Sequence, residues 1–211
     1  MDVRTFFPGA YTATPSSSIM NYAISADRLA ELLARDTKNA GETQLQRYER
    51  LGASKSVLDI VRRGGGPAMG AQCERLFRDE WKSLIPRESK KTSGVVTTGY
   101  DHRVQTVGWK YLEQKTSGLW SDEENDFHWQ HIELDHPWHG LLLVGIGLHG
   151  MRAWGMTRKD FESCVADGRA TNQGNKAKNS SEGIWMTYRN VHACLTPLSN
   201  EADLLAFVAT L

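Results

Sequence analysis

The spacing of apolar positions divides the chain into a helical first third and a largely β remainder. In "SADRLAELLAR", Leu29, Leu32 and Leu33 fall on one helical face and Ser25 is placed to cap the N-terminus. "ETQLQRYERL" and "SKSVLDIVRR" carry two more short amphipathic patterns, separated by "GAS" and stopped by Gly64-Gly65-Gly66. The clearest helix is predicted over Pro67–Leu84. Its stripe of Met69, Cys73, Leu76, Phe77, Trp81 and Leu84 follows the 3.6-residue period, Pro67 suits a first turn, and Pro86 ends it.

From Gly94 the period shortens to two. "GVVTTGYDHRV" and "QTVGWKYLEQKT" read as strands, and "GLLLVGI" as a short buried strand. "LHG" turns the chain into "MRAWGM". Thr157 caps "RKDFESCVAD" with Asp160 as its partner and Gly168 as the stop. "IWMTYRN" reads as a last strand, and "SNEADLLAFVAT" as a helix with acids in its first turn. Residues 1–24 read as an irregular arm. This order predicts an α/β protein with a mixed central sheet flanked by helices. It has an α-helical N-terminal region over 1–65, for recognition or dimerisation, and a core over 66–211.

Composition narrows the class. With 40% hydrophobic and 24% charged residues among 211, the core can be sizeable without a disulfide or metal staple. The 25 basic and 25 acidic residues cancel, so no global charge advertises nucleic acid, although a local patch would suffice. Cys73, Cys164 and Cys194 are isolated and odd in number, which points to a reducing cytoplasm. No signal peptide or membrane span is expected.

The chemistry gathers on "WKYLEQKTSGLW". On a strand, Glu113 and Lys115 share a face about 7 Å apart. Asp101, in "GYDHRV", would start the neighbouring strand. Two carboxylates at adjacent strand ends can hold Mg²⁺, and a lysine beside one of them can hold or deprotonate a metal-bound water. On the preceding helix, Glu74 falls at the edge of the apolar stripe and Glu80 nearer its middle, which leaves both as the helix acid.

These residues resemble the PD-(D/E)xK nuclease superfamily, which includes many restriction endonucleases. The resemblance is carried by "YD" at 100–101, "EQK" at 113–115, the helix "GAQCERLFRDEW" and the segment "FHWQHI", and it spans roughly residues 67–208. Tyr100 stands where the family name has proline. The resemblance implies a restriction-endonuclease-like fold. It implies Asp101, Glu113 and the Gln114 carbonyl as metal ligands, Lys115 as the catalytic lysine, and Gln130 and Glu74 as supporting residues. It further implies Mg²⁺ as cofactor, with Mn²⁺ able to substitute, double-stranded DNA as substrate, and a homodimer, as in a type II restriction endonuclease.

Lys176, Lys178, Asn172 and Gln173 in the polar loop, with Thr116 and Ser117 past the lysine, are candidate DNA contacts. Trp109 and Tyr111 are expected to wall the inner end of the site, and Trp120, Trp129 and Trp138 to be core. Two alternatives stand beside this reading. One is a DNA-binding or structural protein on the same fold that does not cleave. The other is a zinc hydrolase using His128, His131, His136 and His139, against which the strand-like alternation of "FHWQHIEL" argues.

Overall fold

The computed structural model describes residues 41–63, 66–85, 99–173 and 183–211. The chain divides into two compact units, Met1–Glu42 and Thr43–Leu211, and every described helix and strand lies in the second. The arm, the helix expected at 25–34 and the lysines of the polar loop lie outside the described residues.

Local signals set the ends of the helices. Thr43 caps α1 (Gln44–Arg50) in a reciprocal capping box with Gln46, and the Ser54 hydroxyl caps α2 (Lys55–Arg62). α3 (Gly66–Glu80) follows the expected stripe but stops four residues early, and Trp81–Leu84 continue as turns. Met69, Cys73, Phe77 and Trp81 are buried, whereas Leu76 lies at the stripe's edge and is exposed.

The main sheet has the order β1-β2-β4-β5-β8. It is built from β1 (His102–Gln105), β2 (Trp109–Gly118), β4 (Gly140–Ile146), β5 (Met151–Thr157) and β8 (Thr196–Pro197). Among the described strands of this sheet, only the β2–β4 pair is parallel. A second antiparallel sheet, in the order β3-β7-β6, combines β3 (His128–Ile132), β6 (Ala170–Asn172) and β7 (Ile184–Thr187). Gln105 belongs to β1 and a turn at Thr106–Gly108 separates it from β2, so the single strand expected over 105–116 is two. Thr157 caps α4 (Arg158–Ala166) as expected. The strand expected through Asn190 ends at Thr187, which caps the short α5 (Tyr188–Val191) instead. α6 (Glu201–Val208) starts at Asn200.

All of β4 is buried, because both of its faces are covered. On one face Leu142 and Val144 meet Phe77 of α3, Trp81 in the turn after it, and Leu204 and Phe207 of α6. On the other, Leu141 and Leu143 pack with Trp129, Phe161, Tyr48 and Val57. α1 and α2 are therefore built into the core. The Phe127 ring lies where a side chain at Gly145 would stand, 2.5–2.7 Å from an added Cβ, so the second sheet seats on the first only because that position is glycine. Among the described residues, no helix is long and apolar enough to cross a membrane.

Candidate active site

The site begins where β1 leaves β2. Their ladder runs from Gln105 opposite Trp109 to His102 opposite Leu112. One residue earlier, the Asp101 N–H donates to the Leu112 carbonyl at 3.0 Å, the last backbone link. At the next rung the Asp101 carboxylate takes the place of a strand carbonyl and accepts from the Gln114 N–H at 2.8 Å. A strand residue aims its N–H and C=O at the same edge. The Gln114 carbonyl therefore faces the edge that Asp101 occupies. Glu113 and Lys115 register beside Leu141 and Leu143, and their side chains emerge on the face that the second sheet partly covers.

A cleft of about 540 Å³ opens at this edge, and Glu74, Asp101, Glu113, Gln114, Lys115 and Gln130 all line it. They come from α3, the residue before β1, β2 and β3. Glu74 lies 3.8 Å from Arg78 one turn on. Glu80 lines a different cavity with Leu76 and Trp81, so Glu74 is the helix acid of this cleft. Lys115 Nζ sits 2.7 Å from Glu113 Oε1. Burial, then the neighbouring Asp101 carboxylate, push the Glu113 carboxyl above its ordinary range, while Lys115 and, more weakly, His136 pull it back. Two acids crowded in a partly dry cleft, with a backbone carbonyl on the same edge, form an oxygen-rich set that suits a hard divalent cation.

His128 and Gln130 both line the cleft, as alternation along β3 puts them on one face, and an irregularity follows. The β3–β7 register shifts between Trp129 and Ile132, and His131 takes a left-handed φ of 57°. Strict alternation would put Ile132 on the face of His128 and Gln130. The bulge instead buries Ile132 with Trp129 and brings His131 to the cleft beside Gln130. Gln130 Oε1 accepts from Gln173 Nε2 at 3.2 Å, which leaves the Gln130 amide nitrogen to donate.

Beneath the site, His102 is buried and its Nε2 lies 2.7 Å from Gln114 Oε1, while Gln114 Nε2 donates to Thr116 Oγ1 at 3.1 Å. With the amide so oriented, His102 Nε2 carries the proton. Burial holds its pKa down at about 4, so the ring is neutral at physiological pH. This chain of contacts fixes the strand residue whose main chain faces Asp101. Nothing in the local sequence pattern marked His102 for that place.

The remaining candidates separate. Thr116 and Ser117 both line the cleft; Ser117 is largely buried, its hydroxyl donating to the Gly118 carbonyl and accepting from the His128 N–H. Asn172 is exposed at the end of β6, and Gln173 supports Gln130. Lys176 and Lys178 lie outside the described residues. Trp109 is exposed under the Arg103 guanidinium, and Tyr111 stacks between Tyr100 and His139. Neither lines the cleft, so they do not wall it.

The four histidines do not gather at one point. Among the described residues, no three of them bring ligand atoms within 4.8 Å of one another, and the group that does converge is Glu133, Asp135 and His136. His128 pairs with Asp126, His136 with Glu133, and His139 Nδ1 accepts from the Tyr111 N–H. Trp129 and Trp138 are core as expected. Trp120 is not: it is 49% exposed and lines the cleft.

No family model, curated protein or solved structure matches this chain. The functional reading rests on the cleft.

Proposed function

We propose that this protein is a Mg²⁺-dependent deoxyribonuclease on a restriction-endonuclease-like core, of the type II restriction class. One observation carries the reading. The residues matched to the PD-(D/E)xK pattern come from four separate places along the chain, and they line one cleft. A chance Asp and ExK would have no reason to meet a helix acid and a glutamine from a bulged strand.

Asp101, Glu113 and the Gln114 carbonyl would hold the cation, which supplies charge neutralisation at the phosphodiester and a more acidic bound water. Lys115 holds or deprotonates the attacking water, and Gln130, anchored by Gln173, offers its amide to the same space. Glu74 adds a carboxylate from the helix side. Cutting both strands of a duplex needs two such sites, so a homodimer is part of the proposal.

The direct test is incubation of the protein with plasmid DNA and Mg²⁺, followed by sequencing of the ends. Defined cut ends support the reading. An intact plasmid in both Mg²⁺ and Mn²⁺, with modified DNA included, refutes cleavage and favours a DNA-binding role for the same cleft.

A second measurement reads the cation directly. A cation at ten times its dissociation constant adds about 1.4 kcal/mol, worth roughly 3–6 °C in Tm for a chain of this size. Thermal denaturation with and without Mg²⁺ is expected to show that rise, and Asp101→Asn to remove it. The pH dependence has two opposite signs. The folded Glu113 carboxyl lies above its unfolded value, so the native state binds the proton more tightly. Without metal, this group therefore adds stability as the pH falls through the window between the two values. Over the same window the proton competes with the cation, so the Mg²⁺-induced rise shrinks.

A further inference from the structure

One wall of the cleft has no part in the carboxylate and lysine chemistry. Trp120 lies just past the end of β2, and about half of it is exposed although Trp129 and Trp138 are fully buried. Its indole is held from behind. The His128 ring lies nearly parallel to it, with centroids 4.5 Å apart and an interplanar angle of 11°. His128 is fixed in turn: its Nε2 is 2.9 Å from Asp126 Oδ1, and its N–H donates to Ser117 Oγ at 2.9 Å. Trp185 packs behind it at 5.9 Å. The main chain of Trp120 is pinned at both ends, its N–H donating to the Asp126 carbonyl at 3.0 Å and its carbonyl accepting from Arg47 at 2.7 Å.

The result is a rigid aromatic plate, backed on one side, in the same cleft as Lys115. Rigidity matters because a flexible aromatic side chain loses rotamer freedom when a ligand stacks on it, and this one has little to lose. Lys115 and Trp120 are five residues apart, so the plate stands at most ~17 Å along the chain from the lysine, within reach of a few nucleotides.

Resting on the nuclease reading of this cleft, we infer that Trp120 is a stacking site for one unpaired nucleobase of the DNA substrate. Within a duplex both faces of a base are covered by its neighbours. Only a base at a frayed, mismatched or extruded position offers a face to the indole. Every base has such a face, so the contact tolerates any sequence. The side chains of Gln44 and Gln130 in the same cleft are the groups that could read its edge.

The test uses the full chain carrying Lys115→Ala, so that binding is measured without cleavage. The probes are a duplex with a central unpaired 2-aminopurine and the same duplex fully paired. Binding of the unpaired probe is expected to change the 2-aminopurine fluorescence. Adding Trp120→Ala is expected to weaken that probe's binding ~10-fold and to abolish the fluorescence change, with Trp120→Phe restoring most of both. Paired duplex should change by less than about twofold. Trp120→Leu, which keeps apolar cover over His128 but has no stacking ring, carries the same expectation should alanine loosen the fold.

Unchanged binding of the unpaired probe by the Leu variant, while the wild type still cuts plasmid, overturns the stacking site and leaves the nuclease reading intact. Failure of the wild type to bind either probe or to cut plasmid overturns the nuclease reading itself, and the stacking site with it.

Discussion

Lys115→Ala is expected to lower Mg²⁺-dependent DNA cleavage about 10³-fold or more, within the range one positioned acid–base group contributes. The folded state and DNA binding are expected to remain. Lys115 Nζ lies 2.7 Å from Glu113 Oε1, so the substitution removes the cation that opposes the upward push of burial and Asp101 on the Glu113 carboxyl. Lys115→Arg separates the two roles of the side chain. The guanidinium keeps the charge but does not release a proton near neutral pH, so a proton-transfer role leaves Arg as inactive as Ala, whereas a purely electrostatic role gives partial rescue.

Asp101→Asn should be equally inactive. Its amide oxygen can still accept from the Gln114 N–H, so β1 keeps its attachment while the anionic ligand is lost. Single-turnover cleavage, filter binding and thermal denaturation on the three variants check these expectations. Wild-type cleavage by Lys115→Ala or by Asp101→Asn removes the assignment.

Part of this site could be read from spacing alone. Glu113 and Lys115 share a strand face by period two, and the helical wheel placed Glu74 beside the apolar stripe of α3. The wheel could not choose Glu74 over Glu80, because a helix presents several edges and only the packing partner decides which one meets a cleft. Here α3 lies along β2 so that Glu80 reaches a separate cavity with Leu76 and Trp81. The bulge at Gln130 and His131 was hidden for a similar reason. Alternation in "FHWQHI" describes a regular strand, and a one-residue slip is set by the partner strand, β7, more than fifty residues on. Trp120 was misread as core because a large aromatic residue is buried on average, and nothing local shows that its backing is a histidine ring and its front a cleft. His102 is another such case, since its partner Gln114 becomes adjacent only when β1 pairs with β2.

The helices at 44–62 were legible as helices but not by destination, and Tyr48 shows why. Its ring is fully buried, and its hydroxyl makes two long-range contacts: it donates to the Ile146 carbonyl at the end of β4 and accepts from the Leu119 N–H at 2.9 Å. Burial pushes its pKa up to about 12, so it stays neutral and able to donate. Gln44, one turn earlier on α1, packs its side-chain amide over Gly118, where a Cβ would collide with it. Together they clasp the point where β2 ends and the chain turns toward Trp120.

Tyr48→Phe keeps the packing but leaves a buried N–H and a buried C=O without this partner, at about 1–3 kcal/mol for each group left unsatisfied. The expected loss is therefore roughly 2–6 kcal/mol, or roughly 4–24 °C in Tm, a large effect for the removal of one oxygen. Tyr48→Ala should cost more, because a cavity is added. Chemical denaturation of the full chain, followed by both tryptophan fluorescence and far-ultraviolet circular dichroism, checks this. Coincident transitions shifted to lower denaturant would mean that α1 and the sheet unfold as one cooperative unit. A Tyr48→Phe midpoint matching the wild type would show instead that α1 docks without contributing to the core. The structural support proposed here for the Trp120 end of the cleft would then fall with it.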